Sequence, residues 1–126
     1  MLELQNSMTE KPEMSWICKP AASAQGKGIF ITQDVNEIPE RTQMVVCEYV
    51  NKPLLIDGYK FDLRIYVLVT SYQPLTVYLY RSGFARFTHH RYSNKIDEIQ
   101  NTFMHLTNVA IQKTNANYDE RLGGKW

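Results

Sequence analysis

One stretch constrains the fold more than any other. Residues 61–70 read Phe-Asp-Leu-Arg-Ile-Tyr-Val-Leu-Val-Thr, a β-branched and aromatic run free of Gly and Pro, and such a run favours an extended strand. Pro74 marks a turn, and Leu75-Thr76-Val77-Tyr78-Leu79-Tyr80 is a second strand. Ser82-Gly83 is a tight-turn signal, after which Phe84-Ala85-Arg86-Phe87-Thr88 returns. Successive strands joined by short turns predict an antiparallel meander.

Side chains alternate along a strand. Lys60, Asp62 and Arg64 therefore share one face, and Leu63, Ile65, Val67 and Val69 share the other, buried-looking face. The charged face has two readings. It is either a solvated edge with same-side ion pairs of little worth, or the ligand-facing end of a strand that runs on as Tyr66-Val67-Leu68-Val69.

The rest of the chain supplies shorter elements. Residues 1–15 are polar and mixed and read as an unstructured leader. Trp16-Ile17-Cys18-Lys19 is a strand, residues 21–28 a small-residue loop, and Gly28-Ile29-Phe30-Ile31-Thr32 another strand. Residues 34–41 form a turn or short helix broken by Pro39. Residues 44–50 form a strand that Asn51-Lys52-Pro53 ends, and Asp57-Gly58 is a turn. Residues 89–101 read as a loop with a short helix, residues 103–112 are mixed, and residues 115–124 are a polar loop. The chain reaches Lys125-Trp126 with no helix cap or tapering tail, which reads as a cut from a longer protein.

Composition excludes several classes. With 44% hydrophobic and 21% charged residues the chain is ordinary globular material. A net charge of +1 selects no nucleic-acid partner. No apolar stretch approaches the ~18–20 residues that span a bilayer, so no membrane partner is expected. Residues 1–15 also lack the apolar core of a signal peptide, which predicts a soluble intracellular protein. Cys18 and Cys47 both lie in apolar runs without a C-x-x-C pair, and are expected to be buried free thiols in a reducing compartment.

Several residues carry possible chemistry. Lys19 ends a strand shortly before Gln25-Gly26-Lys27-Gly28, where glycine lets backbone N–H groups approach phosphate oxygens and lysine adds charge. The spacing is neither a Walker loop nor a dinucleotide fingerprint, and a flexible turn explains it equally well. Arg86 reads most simply as a surface arginine over apolar neighbours, with carboxylate or phosphate recognition as the alternative. His89 and His90 point to opposite faces and read as exposed loop residues. His105 opens His105-Leu106-Thr107-Asn108, a tetrad common to turns and to phosphate-contacting segments.

These segments are not independent. Trp16-Ile17-Cys18-Lys19-Pro20, Gln25-Gly26-Lys27-Gly28-Ile29, Tyr49-Val50-x-Lys52-Pro53, Lys60-Phe61-Asp62-Leu63-Arg64, Gly83-Phe84-Ala85-Arg86-Phe87, His105-Leu106-Thr107-Asn108 and Gly123-Gly124-Lys125-Trp126 occur together in register. In order and spacing they resemble the tubulin–tyrosine-ligase-like family, and the polyglutamylase branch in particular, which reads Asn-Val-Ala-Ile-Gln-Lys where residues 108–113 stand. The resemblance covers residues 16–126.

It implies an α+β ATP-grasp fold present in part: some of the central lobe and some of the C-terminal lobe with its antiparallel meander. By the same resemblance Lys19, Lys60, Phe61 and Asp62 contact the nucleotide, Gln25 and Gly26 belong to the phosphate-covering loop, and Cys47, Glu48, Tyr49 and Val50 form the adenine hinge. Thr107 and Asn108 lie near the phosphates, Arg64 is the catalytic arginine, and Arg86 and Lys125 hold the incoming amino acid. The family's hinge begins with Gln where this chain has Cys47, and some relatives have Tyr-Ser where it has Val109-Ala110.

The implied cofactors are ATP and magnesium. The family's magnesium ligands lie beyond Trp126 and none is assigned here, so the isolated chain is expected to be inactive and the full-length protein active. The implied partners are the acidic C-terminal tails of tubulin and free L-glutamate, which is added to tail glutamates through an acyl-phosphate. The implied location is the cytoplasm and cytoskeleton, with cilium, flagellum or basal body as special cases. Glycine or tyrosine ligation, or a non-catalytic scaffold, are the alternatives.

Overall fold

The computed structural model describes residues 2–119. The first sheet holds β1 (Trp16–Pro20), β2 (Phe30–Thr32) and β3 (Met44–Glu48), with β1 in the centre and both pairings antiparallel. Cys18, in mid-strand, is fully buried. With Met8 and Ile38 it forms a core that Trp16, Phe30, Val35, Met44 and Val46 surround. A short 3-10 turn, Val35–Glu37, follows Asp34, whose carboxylate accepts from the Asn36 backbone N–H at 2.8 Å and caps it.

Two expectations fail in this half. Residues 2–10 are helical, as α1 (Leu2–Glu10), where an unstructured leader was expected. A helix this short is marginal alone. Met8 supplies an anchor by packing against Cys18 and Ile38, and one anchoring residue leaves no visible periodicity in the sequence. Cys47 is exposed rather than buried. Cys18 lies opposite Val46 and Ile17 opposite Cys47, so the two thiols sit on different faces, and only the Cys18 face is roofed by Met8 and Ile38.

The second half begins with a hairpin of β4 (Leu55–Ile56) and β5 (Tyr59–Arg64). Asp57 and Gly58 both take positive φ, 51° and 82°, as a two-residue turn of mirror-image type requires. β5 pairs with β8 (Phe84–Phe87), and β6 (Val67–Tyr72) pairs with β7 (Leu75–Leu79). Tyr80 N–H donates to the Tyr66 carbonyl at 2.9 Å, linking the two ladders.

The expected meander is therefore a long two-limbed ribbon. The chain runs out along β5 and β6, reverses at Gln73-Pro74, and returns along β7 and β8. Ser82-Gly83 is a bulge and not a reversal. Ile65 alone separates Arg64 from Tyr66, whereas Arg81, Ser82 and Gly83 separate their partners Tyr80 and Phe84. A Cβ on Gly83 would stand 2.4 Å from the Arg64 carbonyl oxygen, so glycine serves close backbone approach here. The expected buried face is also open: Leu63, Ile65, Val67 and Val69 are all exposed, Leu63 by 66%.

Beyond the ribbon the chain folds back over it. Ile99 packs with Ile31 and Tyr49, alongside Ile17 and Tyr92, and ties this return to the first sheet. Two short helices, α2 (Thr102–His105) and α3 (Val109–Gln112), are joined by a buried amide. The Gln112 amide nitrogen donates to the Phe103 and Leu106 carbonyls at 3.1 and 2.5 Å, and its oxygen accepts from the His89 backbone N–H at 3.0 Å. His89 and His90 are accordingly half-buried and not exposed. His89 stacks on Tyr118, and His90 lies against Phe103 and within hydrogen-bond reach of Asn101 and Asn115.

Candidate active site

The β5–β8 register creates one side of the site. Asp62 lies opposite Arg86, and the guanidinium grips the carboxylate through Nε–Oδ1 at 2.7 Å and Nη2–Oδ2 at 2.5 Å. Thr107 adds a third donor, Oγ1 to Oδ2 at 2.8 Å. Burial alone would raise the Asp62 pKa. The hydrogen bonds from Arg86 and Thr107, with the charges of Arg86 and Arg64, outweigh it and hold the carboxyl below its ordinary value. Both oxygens are thus committed within the chain.

Lys60, on the same face, is in the opposite situation. Its Nζ donates to the Tyr49 hydroxyl at 3.0 Å and to the His105 carbonyl at 2.9 Å. It also lies 4.6 Å from the centre of the Tyr49 ring. These contacts are neutral, and Lys60 has no ion-pair partner among the described residues. Burial, only partly offset by Asp62 and reinforced by Lys19, lowers its pKa to about 8. A half-buried ammonium with uncharged contacts and a second lysine nearby is poised for an anion.

The loops close around this face. Thr107 holds Asp62, and the next residue, Asn108, meets Gly26: a Cβ on Gly26 would stand 3.0 Å from the Asn108 side chain and 2.6 Å from Ile111 Cδ1. Gln25 and Gly26 both have positive φ, 61° and 81°, the conformation for which glycine is suited. The structure therefore brings together Lys60, Asp62, Arg86, Thr107, Asn108 and Gly26, with Lys19 close enough to act on Lys60. Arg64 is exposed, its guanidinium 6.0 Å from the Tyr66 ring, with no ion-pair partner among the described residues. Phe61 points to the far face, against Phe87. Cys47 and Glu48 close β3 and are exposed, as is Val50, while the Tyr49 backbone N–H donates to Ser15 O at 2.8 Å. Lys125 lies outside the described residues.

Three contributors were not assigned from sequence. The contact of the Tyr49 hydroxyl with Lys60 is one, since Tyr49 was expected only as part of the adenine hinge. His105 is fully buried and joins Tyr49 through Nδ1 at 3.0 Å. Tyr92 meets the His105 ring edge-on at 5.4 Å and donates its hydroxyl to Asn51 O at 3.0 Å. Only His105 left a signal, at the head of its polar tetrad. Among the described residues no group of three or more His, Cys, Asp or Glu side chains is placed to hold a metal ion. Asp62, the carboxylate in this site, already has three donors, so the described residues do not fit the implied magnesium and no step is routed through it. No described helix is long and apolar enough to cross a membrane.

Comparison with known proteins matches the tubulin-tyrosine ligase family over residues 2–126. Similar relatives include a probable alpha-tubulin polyglutamylase, Ttll1, of Tetrahymena thermophila, 47% identical over 91% of this chain and 32% of its own. A probable tubulin polyglutamylase, ttll-9, of Caenorhabditis elegans is 49% identical over 88% of this chain and 28% of its own. The human tubulin polyglutamylase TTLL5 is 46% identical over 88% of this chain and 9% of its own. The chain thus spans a third or less of the length of these relatives.

Proposed function

Because the chain belongs to the tubulin-tyrosine ligase family, we propose that it forms part of the ATP cleft of a tubulin polyglutamylase. In this reading the β1–β3 sheet belongs to the central lobe of an ATP-grasp fold and the β5–β8 ribbon to its C-terminal lobe. The full protein joins the amine of free L-glutamate to glutamate side chains in the acidic tails of tubulin, and works in the cytoplasm on the cytoskeleton. Three relatives named for polyglutamylation support glutamate over glycine or tyrosine as donor.

The observation that carries the proposal is Lys60, a half-buried ammonium whose hydrogen-bond partners are neutral, whose charge Asp62 offsets only in part, and which has no ion-pair partner among the described residues. ATP, when bound, supplies the phosphoryl group that activates the acceptor carboxylate. The residues do the rest by position and charge, which is most of phosphoryl-transfer catalysis. Lys60 and Lys19 hold phosphates, and the Gln25-Gly26 loop covers them against Asn108. Asp62 and Thr107 fix the floor of the cleft. Cys47, Glu48, Tyr49 and Val50 line the adenine side. Arg64, exposed and without an ion-pair partner among the described residues, receives the acceptor's developing charge. Arg86 spends two donors on Asp62 and keeps others for the incoming amino-acid carboxylate, with Lys125 as its companion.

The test is incorporation of radiolabelled glutamate, glycine or tyrosine into tubulin by the full-length protein with ATP. Glutamate incorporation that is lost in Arg64→Ala is expected. Incorporation of glycine or tyrosine in its place refutes the donor assignment, and no ATP-dependent incorporation of any of the three refutes the ligase reading.

A further inference from the structure

A buried relay stands behind Lys60: the Tyr49 and His105 side chains are both almost wholly enclosed. Its direction follows from one fixed end. The Glu98 backbone carbonyl can only accept, and it lies 3.2 Å from His105 Nε2, so Nε2 carries the proton. Burial, the foremost cause, and the charge of Lys60 lower the His105 pKa against the pull of Glu98, so the ring is neutral near pH 7 and Nδ1 is bare. Tyr49 O–H then donates to Nδ1 across 3.0 Å. That leaves the Tyr49 oxygen's lone pairs to accept from Lys60 Nζ at 3.0 Å. The His105 carbonyl accepts a second Lys60 hydrogen at 2.9 Å, so His105 acts on Lys60 through both ends of the residue.

We propose that Tyr49 and His105 are positioning residues for Lys60, forming an all-neutral relay anchored on the Glu98 carbonyl that aims the ammonium and leaves one of its three donors for a phosphate group. This deepens the nucleotide reading and rests on it for the identity of the anion. The relay also explains why Lys60 has no ion-pair partner among the described residues. A carboxylate there would satisfy the charge without a ligand, whereas hydroxyl and carbonyl oxygens orient the ammonium and leave its charge uncompensated. Tyr92 supports the arrangement from the side, its ring edge-on to His105.

The experiment follows the Lys60 side-chain 15N resonance through a pH titration of the full chain, assigned by its absence in Lys60→Met. Charged and titratable groups facing Lys60 are Lys19 from β1, Asp62 from β5, Tyr49 after β3 and His105 from α2, with Tyr92 and Glu98 behind them. All except the substituted residue stay constant. Tyr49→Phe removes one oxygen and keeps the ring. It is expected to lower the proton affinity of Lys60 by roughly tenfold, the loss of one hydrogen bond to a charged group, and to weaken binding of the ATP analogue AMP-PNP about as much. His105→Leu should do the same. His105→Gln, whose amide can accept from Tyr49 and donate to Glu98, should restore both.

A Lys60 midpoint unmoved by Tyr49→Phe in a chain with native circular dichroism overturns the relay. Equal effects of His105→Leu and His105→Gln overturn the assigned direction. If the midpoint follows the relay while saturating AMP-PNP leaves the Lys60 resonance unchanged, the phosphate assignment is overturned together with the nucleotide reading.

Discussion

Lys60 makes the stability of this chain depend on pH in an unusual direction. An ordinary lysine titrates at 10.5, and Lys60 in the folded chain near 8. Below pH 8 both states carry the proton, and folding bears the whole cost of confining the charge. As pH rises from 8 toward 10.5 the folded chain sheds the proton first, so this cost falls and stability rises. The full difference corresponds to about 3 kcal/mol at ~1.4 kcal/mol per tenfold, and solvent screening of a half-buried side chain reduces it to roughly 1–2 kcal/mol. Lys60→Met keeps the stem and deletes the charge. Cys18, Tyr49 and Tyr92 have raised values, chiefly through burial, and oppose the trend at high pH, but they are common to both proteins. Urea midpoints at pH 7, 8 and 9 give the comparison. The wild type should gain on Lys60→Met by roughly 0.5–1 kcal/mol across this range, and saturating AMP-PNP should shrink the gain by holding the proton in place. A flat difference between the two proteins would falsify the argument that Lys60 is an uncompensated charge.

Gly26→Ala should cost about 1–2 kcal/mol in urea denaturation, because its φ of 81° is left-handed and the new Cβ meets Ile111 at 2.6 Å; unchanged stability would mean the loop is not held against α3. Asp62→Asn should destabilise by roughly 1 kcal/mol near pH 7, given a partly exposed pair. Since the Asp62 pKa is lowered, its contribution is present above the ordinary value of 3.8 and lost as pH falls below it, so the two proteins should converge in acid. Ellman's reagent should label Cys47 promptly in the native chain and Cys18 only on unfolding, since one thiol is exposed and the other is buried and pushed up to about 11, chiefly by burial. Prompt labelling of both would show that α1 does not roof Cys18.

Most strands were legible because their signals are local. Trp16–Pro20, Met44–Glu48 and the Asp57-Gly58 turn follow from apolar runs and turn residues a few positions apart, whereas the short arm Leu55–Ile56 was not expected as a strand. What sequence could not decide was which turn signals reverse the chain. Pro74 and Gly83 look alike as punctuation, yet one ends a limb and the other lets two backbones touch at Arg64. That difference depends on what lies across the ladder, some twenty residues away. The helix at Leu2–Glu10 was missed for a related reason. Its described anchor, Met8, finds its partners at Cys18 and Ile38, and a local pattern does not contain them.

The site divides along the same line. Charged groups announce themselves by type: alternation set Lys60, Asp62 and Arg64 on one face before any contact was known, while Arg86 read by itself as a surface arginine and gained a role only through the family resemblance. Their partners could not. Asp62 and Arg86 look equally available in sequence, and only the β5–β8 register turns them into a closed pair. Lys60 has no ion-pair partner among the described residues. Its hydrogen-bond partners are a tyrosine expected in the adenine hinge and a histidine that stood out only as the head of a polar tetrad, 56 positions apart, and no local pattern joins them. The contrast carries functional meaning. Two cations on neighbouring strands share one face; one is neutralised inside the chain and the other is held by oxygens that cannot neutralise it. A cleft built only to fold would pair both. Leaving the Lys60 charge only partly offset, by Asp62, has a cost in the unliganded chain, and that cost is recovered when an anion binds. Affinity for the anion and the pH dependence of stability thus have a common origin in the same uncompensated ammonium.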